Sequence, residues 1–288
     1  MNKNTKAIAF MVVSMFAFAA TDTLIKLVSG AVTPAQTIFF LTTGGLIVFA
    51  SLATYQGDTI WTKRAVSKVL IIRYIAEIIG LISMVLALSL IELSTIGAII
   101  QSVPLLVTFG AVLWLGERVS WRRWTSIIAG FVGVLMIIQP GADAFEPAVL
   151  LAFIAAVALS VRDLTTRVTP PDMSSASLAC YTMMATIPVP VIWIMINGES
   201  FIPPNEHLFT LIAMVMLGAF GYFLIIASVR SAEVSVVSPY RYSRLIFLMG
   251  FGVLLFDEKP GFWVLMGAAL IVVSGIYMMW RERVVKRG

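Results

Sequence analysis

Residues 92–117 read ELSTIGAIIQSVPLLVTFGAVLWLGE, and residues 233–258 read EVSVVSPYRYSRLIFLMGFGVLLFDE. The two stretches align without a gap at an offset of 141 residues and share six identical positions, including both terminal glutamates. Weak identity at one constant offset, which also pairs residues in other segments, indicates an internal duplication. The sequence therefore predicts two repeats, residues 1–140 and residues 141–288.

The composition places both repeats in a membrane. The 288 residues are 60% hydrophobic and only 12% charged, with a mean hydropathy of +0.98. A soluble domain is roughly half apolar and a quarter charged, so a water-soluble fold is excluded. Ten apolar runs, each long enough to span a bilayer, predict an all-α integral membrane protein with transmembrane helices near 7–28, 34–54, 69–91, 94–115, 122–139, 147–167, 173–196, 206–228, 233–256 and 261–280.

The distribution of basic residues predicts the orientation. Short cytoplasmic loops retain lysine and arginine. With the N-terminus inside, fourteen of the 20 basic residues lie in cytoplasmic segments, and Lys259 alone lies in an outer loop. We therefore expect a multi-pass protein of the bacterial inner (plasma) membrane with both termini in the cytoplasm. Because each repeat holds five spans, an odd number, the second repeat must be inverted relative to the first.

A signature at the end of the fourth span carries a family resemblance. Leu113–Arg118 read LWLGER, and the second repeat answers with LLFDEKP at Leu254–Pro260. Over the whole chain the sequence resembles the drug/metabolite transporter superfamily, EamA type. The resemblance implies ten helices in two repeats around a central cavity, alternating access, and substrates from amino acids to nucleotide-like metabolites. The second copy departs from the usual Gly-Glu by having Asp257 before its glutamate.

Two acid and base pairs occupy matching positions in the repeats. Asp22 and Lys26 are four residues apart on one helix face, and Asp163 with Arg167 repeats the arrangement. Each pair is either self-neutralising at a helix end or a gate that closes one mouth of the transporter. By the inversion, the two pairs lie at opposite surfaces of the membrane.

Arg73 and Glu77 form a third i, i+4 pair, on the third span. Glu77 lies about eight residues into the helix, or roughly 12 Å, where a charged group cannot easily reach the interface. The matching residues Met214 and Gly218 are uncharged. A structural salt bridge and an ion site facing the cavity both fit this pattern, and Glu77 is the acid we expect to act if protons are coupled to transport.

The ninth span carries two arginines, Arg241 and Arg244, near mid-bilayer. The residues that match them at the 141-residue offset, which we call their mates, are apolar. The duplication itself therefore does not require arginine at these positions. Arginine binds carboxylate or phosphate through two parallel hydrogen bonds. We therefore predict that both contact substrate; the alternative is permanent neutralisation by Glu77 and Asp163 or by backbone carbonyls.

Aromatic and polar neighbours extend this predicted site. Tyr240 and Tyr242 flank Arg241 and add aromatic surface with hydroxyl groups. Pro239 should loosen the helix and free a carbonyl. Gln101, the mate of Tyr242, is a weaker candidate for the same cavity.

The predicted function is secondary transport of a small anionic or zwitterionic metabolite that bears a carboxylate. With one histidine and one cysteine, the chain cannot form a histidine-rich metal site or an internal disulfide, and it lacks the Gly-Lys-Ser/Thr loop that harnesses ATP. We expect no catalytic residues, cofactor, metal or nucleic acid, and we expect contact with membrane lipids and a homodimer. The alternatives are a lipid-handling or assembly subunit of the same fold and an intramembrane enzyme.

Overall fold

The computed structural model describes residues 3–55, 67–117, 120–141, 145–169, 174–232 and 234–287. Arg118 and Glu233, used above in the signature and the alignment, lie outside these residues. Throughout the described ranges the regular structure is helical. The all-α prediction is confirmed.

The first repeat forms helices that follow the predicted spans closely: α1 (Lys3–Val28), α2 (Pro34–Tyr55), α3 (Lys68–Leu90), α4 (Leu93–Ile100), α5 (Val103–Leu115) and α6 (Trp121–Ile138). The second repeat forms α7 (Val149–Arg167), α8 (Ser175–Thr186), α9 (Pro188–Asn197), α10 (Leu208–Ser231), α11 (Val234–Val237), α12 (Ser243–Phe256) and α13 (Phe262–Arg287), with 3-10 helices at Asn205–His207 and Ser238–Tyr242. Within the described residues, nine segments are long and apolar enough to cross a membrane. Residues 234–256 supply the tenth, which the second 3-10 helix interrupts.

Spans four, seven and nine, each predicted as one helix, are interrupted near their middle; for the ninth span, the sequence predicted that Pro239 loosens the helix. Pro104 lies in the first turn of α5, Pro188 begins α9, and Pro239 lies in the 3-10 helix Ser238–Tyr242. Proline lacks the amide proton and clashes with the preceding turn, so a helix restarts at it rather than running through. The fourth and ninth spans therefore each contain a short stretch of backbone outside the α-helical pattern, at equivalent positions of the two repeats.

The main helix contacts join one repeat to the other. Helix α1 packs on α10, α3 on α7, α2 on α8, and α6 on α13. Helices α6 and α13 approach closely at two glycines, since a methyl group added at Gly133 would lie 2.8 Å from the carbonyl oxygen of Gly267. The largest apolar cluster likewise mixes residues of both repeats. Among the described residues, each apolar cluster contains residues of both repeats, so movement of one repeat alters the packing of the other.

The inverted repeats give the bundle two ends with matching residues. Lys26, near the end of α1, contacts Glu258 after α12, and Arg167, the last residue of α7, contacts Glu117 after α5. These pairs are mates at the 141-residue offset. We call the end of the bundle that holds Lys26 and Glu258 the Lys26 end, and the end that holds Arg167 and Glu117 the Arg167 end.

Candidate functional site

A cluster of charged side chains lies between the two repeats, on α1, α3, α7, α12 and the 3-10 helix Ser238–Tyr242. Charges held at membrane depth are costly unless they are paired or face water. The cluster contains four arginines and three carboxylates, at Asp22, Arg73, Glu77, Arg162, Asp163, Arg241 and Arg244. If all are ionised, it holds one positive charge in excess.

Asp22 pairs with Arg244, across the repeats. The Arg244 Nη2 lies 2.5 Å from the Asp22 Oδ2, and the guanidinium stands 5.6 Å from the Phe18 ring centroid. The expected i, i+4 pair of Asp22 with Lys26 does not form, because Asp22 has a partner 222 residues away. Arg244 is therefore neutralised, by Asp22 rather than by the carboxylates that the sequence suggested.

Arg162 pairs with two carboxylates, Asp163 and Glu77, for which the sequence predicted other partners. Its Nη2 lies 2.8 Å from the Asp163 Oδ1, and its Nη1 lies 3.5 Å from the Glu77 Oε2. Sequence reasoning gave Arg162 no role, although an arginine beside an aspartate inside a predicted span was a usable signal. The pairing of Asp163 with Arg167 that the spacing suggested is replaced by this contact.

Arg73 does not bridge to Glu77 either. Its Nε donates to the Thr166 Oγ1 at 3.0 Å, and its Nη1 donates to the Thr182 Oγ1. Glu77 remains within electrostatic range of Arg73 while its carboxylate contacts Arg162. Arg73 thus fastens α3 to α7 and α8 through hydroxyl groups, which bear no charge.

Arg241 differs from the other arginines of the cluster. It lies within electrostatic range of Asp163, Arg162 and Arg244, and the residue is exposed. Within the described ranges, the structure gives the Arg241 guanidinium no ion pair and no hydrogen bond, so the excess charge of the cluster resides here.

The residues around Arg241 hold its backbone in place. The Gln101 Nε2 donates to the carbonyl oxygens of Tyr242 at 3.2 Å and Arg241 at 3.4 Å. Gln101 and Tyr242 are mates, so the interruptions of the fourth and ninth spans touch each other at equivalent positions. The amide of Gln101 is thereby committed to backbone carbonyls.

The two tyrosines lie in different surroundings. Tyr240 is 40% exposed, whereas Tyr242 is buried, with its hydroxyl oxygen against Gly275 of α13. In the described part of the chain that hydroxyl has no hydrogen-bond partner. Of the two, Tyr240 is the more accessible residue.

At the Lys26 end, a buried carboxylate joins the repeats. The Glu258 Oε1 accepts the Leu93 amide at 2.6 Å, and its Oε2 accepts the Ser94 amide at 3.0 Å and the Ser94 hydroxyl at 2.8 Å. Lys26 lies 3.6 Å from the same carboxylate and donates to the Ile91 carbonyl at 2.5 Å. Burial, and after it the Glu258 charge, raises the pKa of neighbouring Glu92 above its usual value.

At the Arg167 end, the mate pair is open. Arg167 Nη1 lies 3.9 Å from the Glu117 Oε1, and the two side chains are 54% and 48% exposed. Lys26 and Glu258 are only 17% and 5% exposed. Lys26 and Arg167 thus each contact a glutamate of the opposite repeat, and only the first contact is buried.

An open cavity of about 580 Å³ lies apart from this cluster, where α1 and α2 meet the segment after α9. Its polar groups bond to one another: the Thr33 hydroxyl donates to Glu199 at 2.5 Å, and the Gln36 amide donates to the Ser200 carbonyl at 2.7 Å. These bonds anchor the segment after α9 to the start of α2.

A known family model and several named relatives match this chain. The EamA-like transporter family model matches residues 5–139 and again residues 146–281. A relative from Rickettsia bellii (strain RML369-C), named S-adenosylmethionine uptake transporter, is 26% identical over 280 residues, covering 96% of this chain and 94% of its own length. A riboflavin transporter of Vibrio cholerae is 29% identical over 196 residues, covering 66% of this chain and 64% of its own.

A solved crystal structure shares the fold. It superposes with a TM-score of 0.64 at 17% sequence identity, covering 98% of this chain and 99% of that one. The family model spans both repeats, and the relatives are named as transporters of small metabolites, not as enzymes. The chain belongs to the EamA-like transporter family of the drug/metabolite transporter superfamily.

Proposed function

We propose that this protein is a secondary transporter that moves a small anionic or zwitterionic metabolite across the bacterial inner membrane by alternating access. The observation that carries the proposal is Arg241, an exposed residue beside the charged cluster that has no ion pair in the described part of the chain. A substrate carboxylate would neutralise it through two parallel hydrogen bonds. The position fits the rule that transporter sites lie where interrupted helices of the two repeats meet.

The roles of the other predicted residues follow from their placement. Tyr240 can contact the ligand beside Arg241, whereas Gln101 and Tyr242 support the backbone that carries it. Asp22 with Arg244, and Arg73 with its two threonines, are bonded within the protein. Glu77, whose only ion pair among the described residues is with Arg162, is the acid proposed for proton coupling.

S-adenosylmethionine is the first compound to test. It carries a carboxylate that suits Arg241 and cationic groups that Asp163, near Arg241, can attract. A relative that matches this chain over 96% of its length is named for uptake of this compound. The orientation proposed from the basic residues places both termini in the cytoplasm, the Lys26 end outside and the Arg167 end inside.

Binding to the purified protein in lipid nanodiscs tests the proposal. We expect thermal stabilisation by S-adenosylmethionine or by another anionic or zwitterionic compound in a panel of metabolites, and flux of the same compound in proteoliposomes. Arg241→Gln should raise its dissociation constant about tenfold or more, as expected when a hydrogen-bonded charge is removed. Unchanged affinity, or stabilisation by purely cationic compounds alone, would contradict the proposal.

A matched control removes an arginine elsewhere. Arg122 is exposed at the start of α6, where its guanidinium stacks on Trp121 at 5.2 Å. Arg122→Gln removes the same charge from the protein without touching the cluster. Its affinity for the compound should equal that of the unsubstituted protein.

A further inference from the structure

We propose that Glu258 is a latch that holds the Lys26 end closed, and that Glu117 with Arg167 is the matching latch, released in this structure. The inference rests on the proposed transport function, since it assigns the residues that close each end of the pathway. The sequence suggested gates made within one helix, such as Asp22 with Lys26. The latch differs from such a gate because the carboxylate that Lys26 contacts, Glu258, belongs to the opposite repeat.

The first step is what Glu258 binds. Its carboxylate accepts three hydrogen bonds, from the Leu93 amide, the Ser94 amide and the Ser94 hydroxyl. These amides are the first of α4, which have no partner within their helix and carry partial positive charge. The carboxylate follows α12 of the second repeat, so the contact fastens the second repeat to the first.

The second step is the role of Lys26. Its ammonium group lies 3.6 Å from the Glu258 carboxylate, donates to the Ile91 carbonyl, and stands 5.4 Å from the Phe256 ring centroid. Helix α1, the junction of α3 with α4, and the end of α12 are therefore joined at one buried point. The Lys26 end cannot open without exposing or breaking these contacts.

The third step is that Glu117 is presented in the same way. Helix α5 is capped by Gly116 with φ of 66°, and α12 is capped by Asp257 with φ of 53°, both left-handed. The Glu117 amide then donates to the Ala111 carbonyl at 3.3 Å, and the Glu258 amide to the Gly252 carbonyl at 3.1 Å. Ala111 and Gly252 are also mates.

The two glutamates therefore leave equivalent helix ends with equivalent backbone, and only their surroundings differ. Glu258 is buried against the first repeat, whereas Glu117 is half exposed and faces Arg167 at 3.9 Å. Because the backbone of the two helix ends is equivalent, we assign the difference to the packing around them, that is, to which end of the bundle is closed. When the Arg167 end closes, Glu117 and Arg167 approach and become buried, and Glu258 is released.

The test measures the opening of the Lys26 end directly. Cys180, the only cysteine, is first replaced by alanine, and Val28, which is 1% exposed at the Lys26 end, is replaced by cysteine as a reporter. The protein is placed in lipid nanodiscs, where a charged maleimide reaches both faces. Labelling then depends neither on which end is outside nor on which metabolite is carried, so its result is separate from the flux and binding tests.

Glu258→Gln should raise the labelling rate of the cysteine at position 28 about tenfold, because it removes the charge from the hydrogen bonds that hold the end closed. Ser94→Ala, which removes one donor and no charge, should raise it about twofold to fivefold. A second reporter at Thr169, the mate of Val28, should label more slowly in Glu258→Gln. Unchanged labelling at position 28 in both Glu258→Gln and Ser94→Ala would overturn the proposal.

Two controls separate a latch from general loosening and from a simple ion pair. Glu117→Gln, the mate substitution, should lower labelling at position 28 or leave it unchanged, because it weakens the contact that closes the Arg167 end when the Lys26 end opens; a rise equal to that of Glu258→Gln would overturn the latch. Exchanging the charges, with Lys26→Glu and Glu258→Lys together, restores an ion pair but presents a cation to the α4 amides. We expect no rescue, and recovery of the original labelling rate would overturn the capping role of Glu258.

Discussion

The two ends of the bundle carry the same kinds of charged side chains at mate positions, and they differ in what surrounds them. At the Lys26 end, the side chains of Asp22 and Glu258 are 8% and 5% exposed. Their mates Asp163 and Glu117 are 32% and 48% exposed. Duplication supplied equivalent groups, and the conformation of the bundle determines which of them are desolvated. The comparison predicts that equivalent substitutions have unequal effects.

The largest difference should come from the two glutamates. Glu258→Ala leaves the α4 amides, the Ser94 hydroxyl and Lys26 without their buried carboxylate, and we expect a loss of about 3 kcal/mol of stability. Glu117→Ala removes an exposed ion pair and should cost less than about 1 kcal/mol. Thermal unfolding of both variants in one detergent measures the difference, and equal losses would remove the basis of the comparison.

The two aspartates should differ in the same direction. Asp22→Asn leaves Arg244 partly buried without a counter-charge, so we expect a loss of about 2 to 3 kcal/mol. In Asp163→Asn, Arg162 keeps Glu77 as a partner in a more exposed setting, and the loss should be about 1 kcal/mol or less. The same unfolding assay applies; a greater loss for Asp163→Asn than for Asp22→Asn would contradict the assignment of partners.

The next effect should come from the contact between Gly275 and Tyr242, for which the first repeat has no equivalent. A methyl group at Gly275 would overlap the Tyr242 hydroxyl, so Gly275→Ala should cost about 1 to 3 kcal/mol by overpacking. Gly250→Ala, which meets nothing within 4 Å, is the matched control and should not destabilise the protein. Tyr242→Phe should change stability by less than about 1 kcal/mol, because its buried hydroxyl has no partner among the described residues.

The smallest effect should come from Gln101, where the interruptions of the two spans meet. Gln101→Leu removes the amide that donates to the carbonyls of Arg241 and Tyr242, at a cost of about 1 kcal/mol. Because the segment carrying Arg241 becomes less ordered, affinity for the transported compound should fall about twofold to fivefold. Calorimetric titration measures this; unchanged affinity with reduced stability would limit Gln101 to a purely structural role.

The spans could be predicted from the sequence because the bilayer fixes their length and composition. All ten predicted segments correspond to helices with ends shifted by a few residues. The interruptions were harder to predict, since a proline near a helix start, such as Pro104, is compatible with either a new helix or a continued one. Packing against the other repeat determines whether the helix continues or restarts at the proline, and hydropathy does not report this packing.

The partners of the charged residues could not be predicted from spacing. An i, i+4 spacing shows that two side chains can meet, but Asp22 finds Arg244 across 222 residues, and Arg162 displaces the expected partners of Asp163 and Glu77. Sequence reasoning did single out the arginine that lacks a partner in the described structure, because Arg241 has no charged mate. It assigned the same role to Arg244, whose neutralisation by Asp22 is a tertiary contact.

The central claim, that the Lys26 end is closed and the Arg167 end open, is tested most directly by two mate positions. Ile25 is buried and Thr166 is exposed, each one residue before the basic residue that names its end. Single cysteines at these positions, in the chain with Cys180→Ala, are labelled with a charged maleimide in ligand-free nanodiscs. We predict that the cysteine at position 166 reacts at least about tenfold faster than that at position 25. Equal rates, or faster reaction at position 25, would contradict the account.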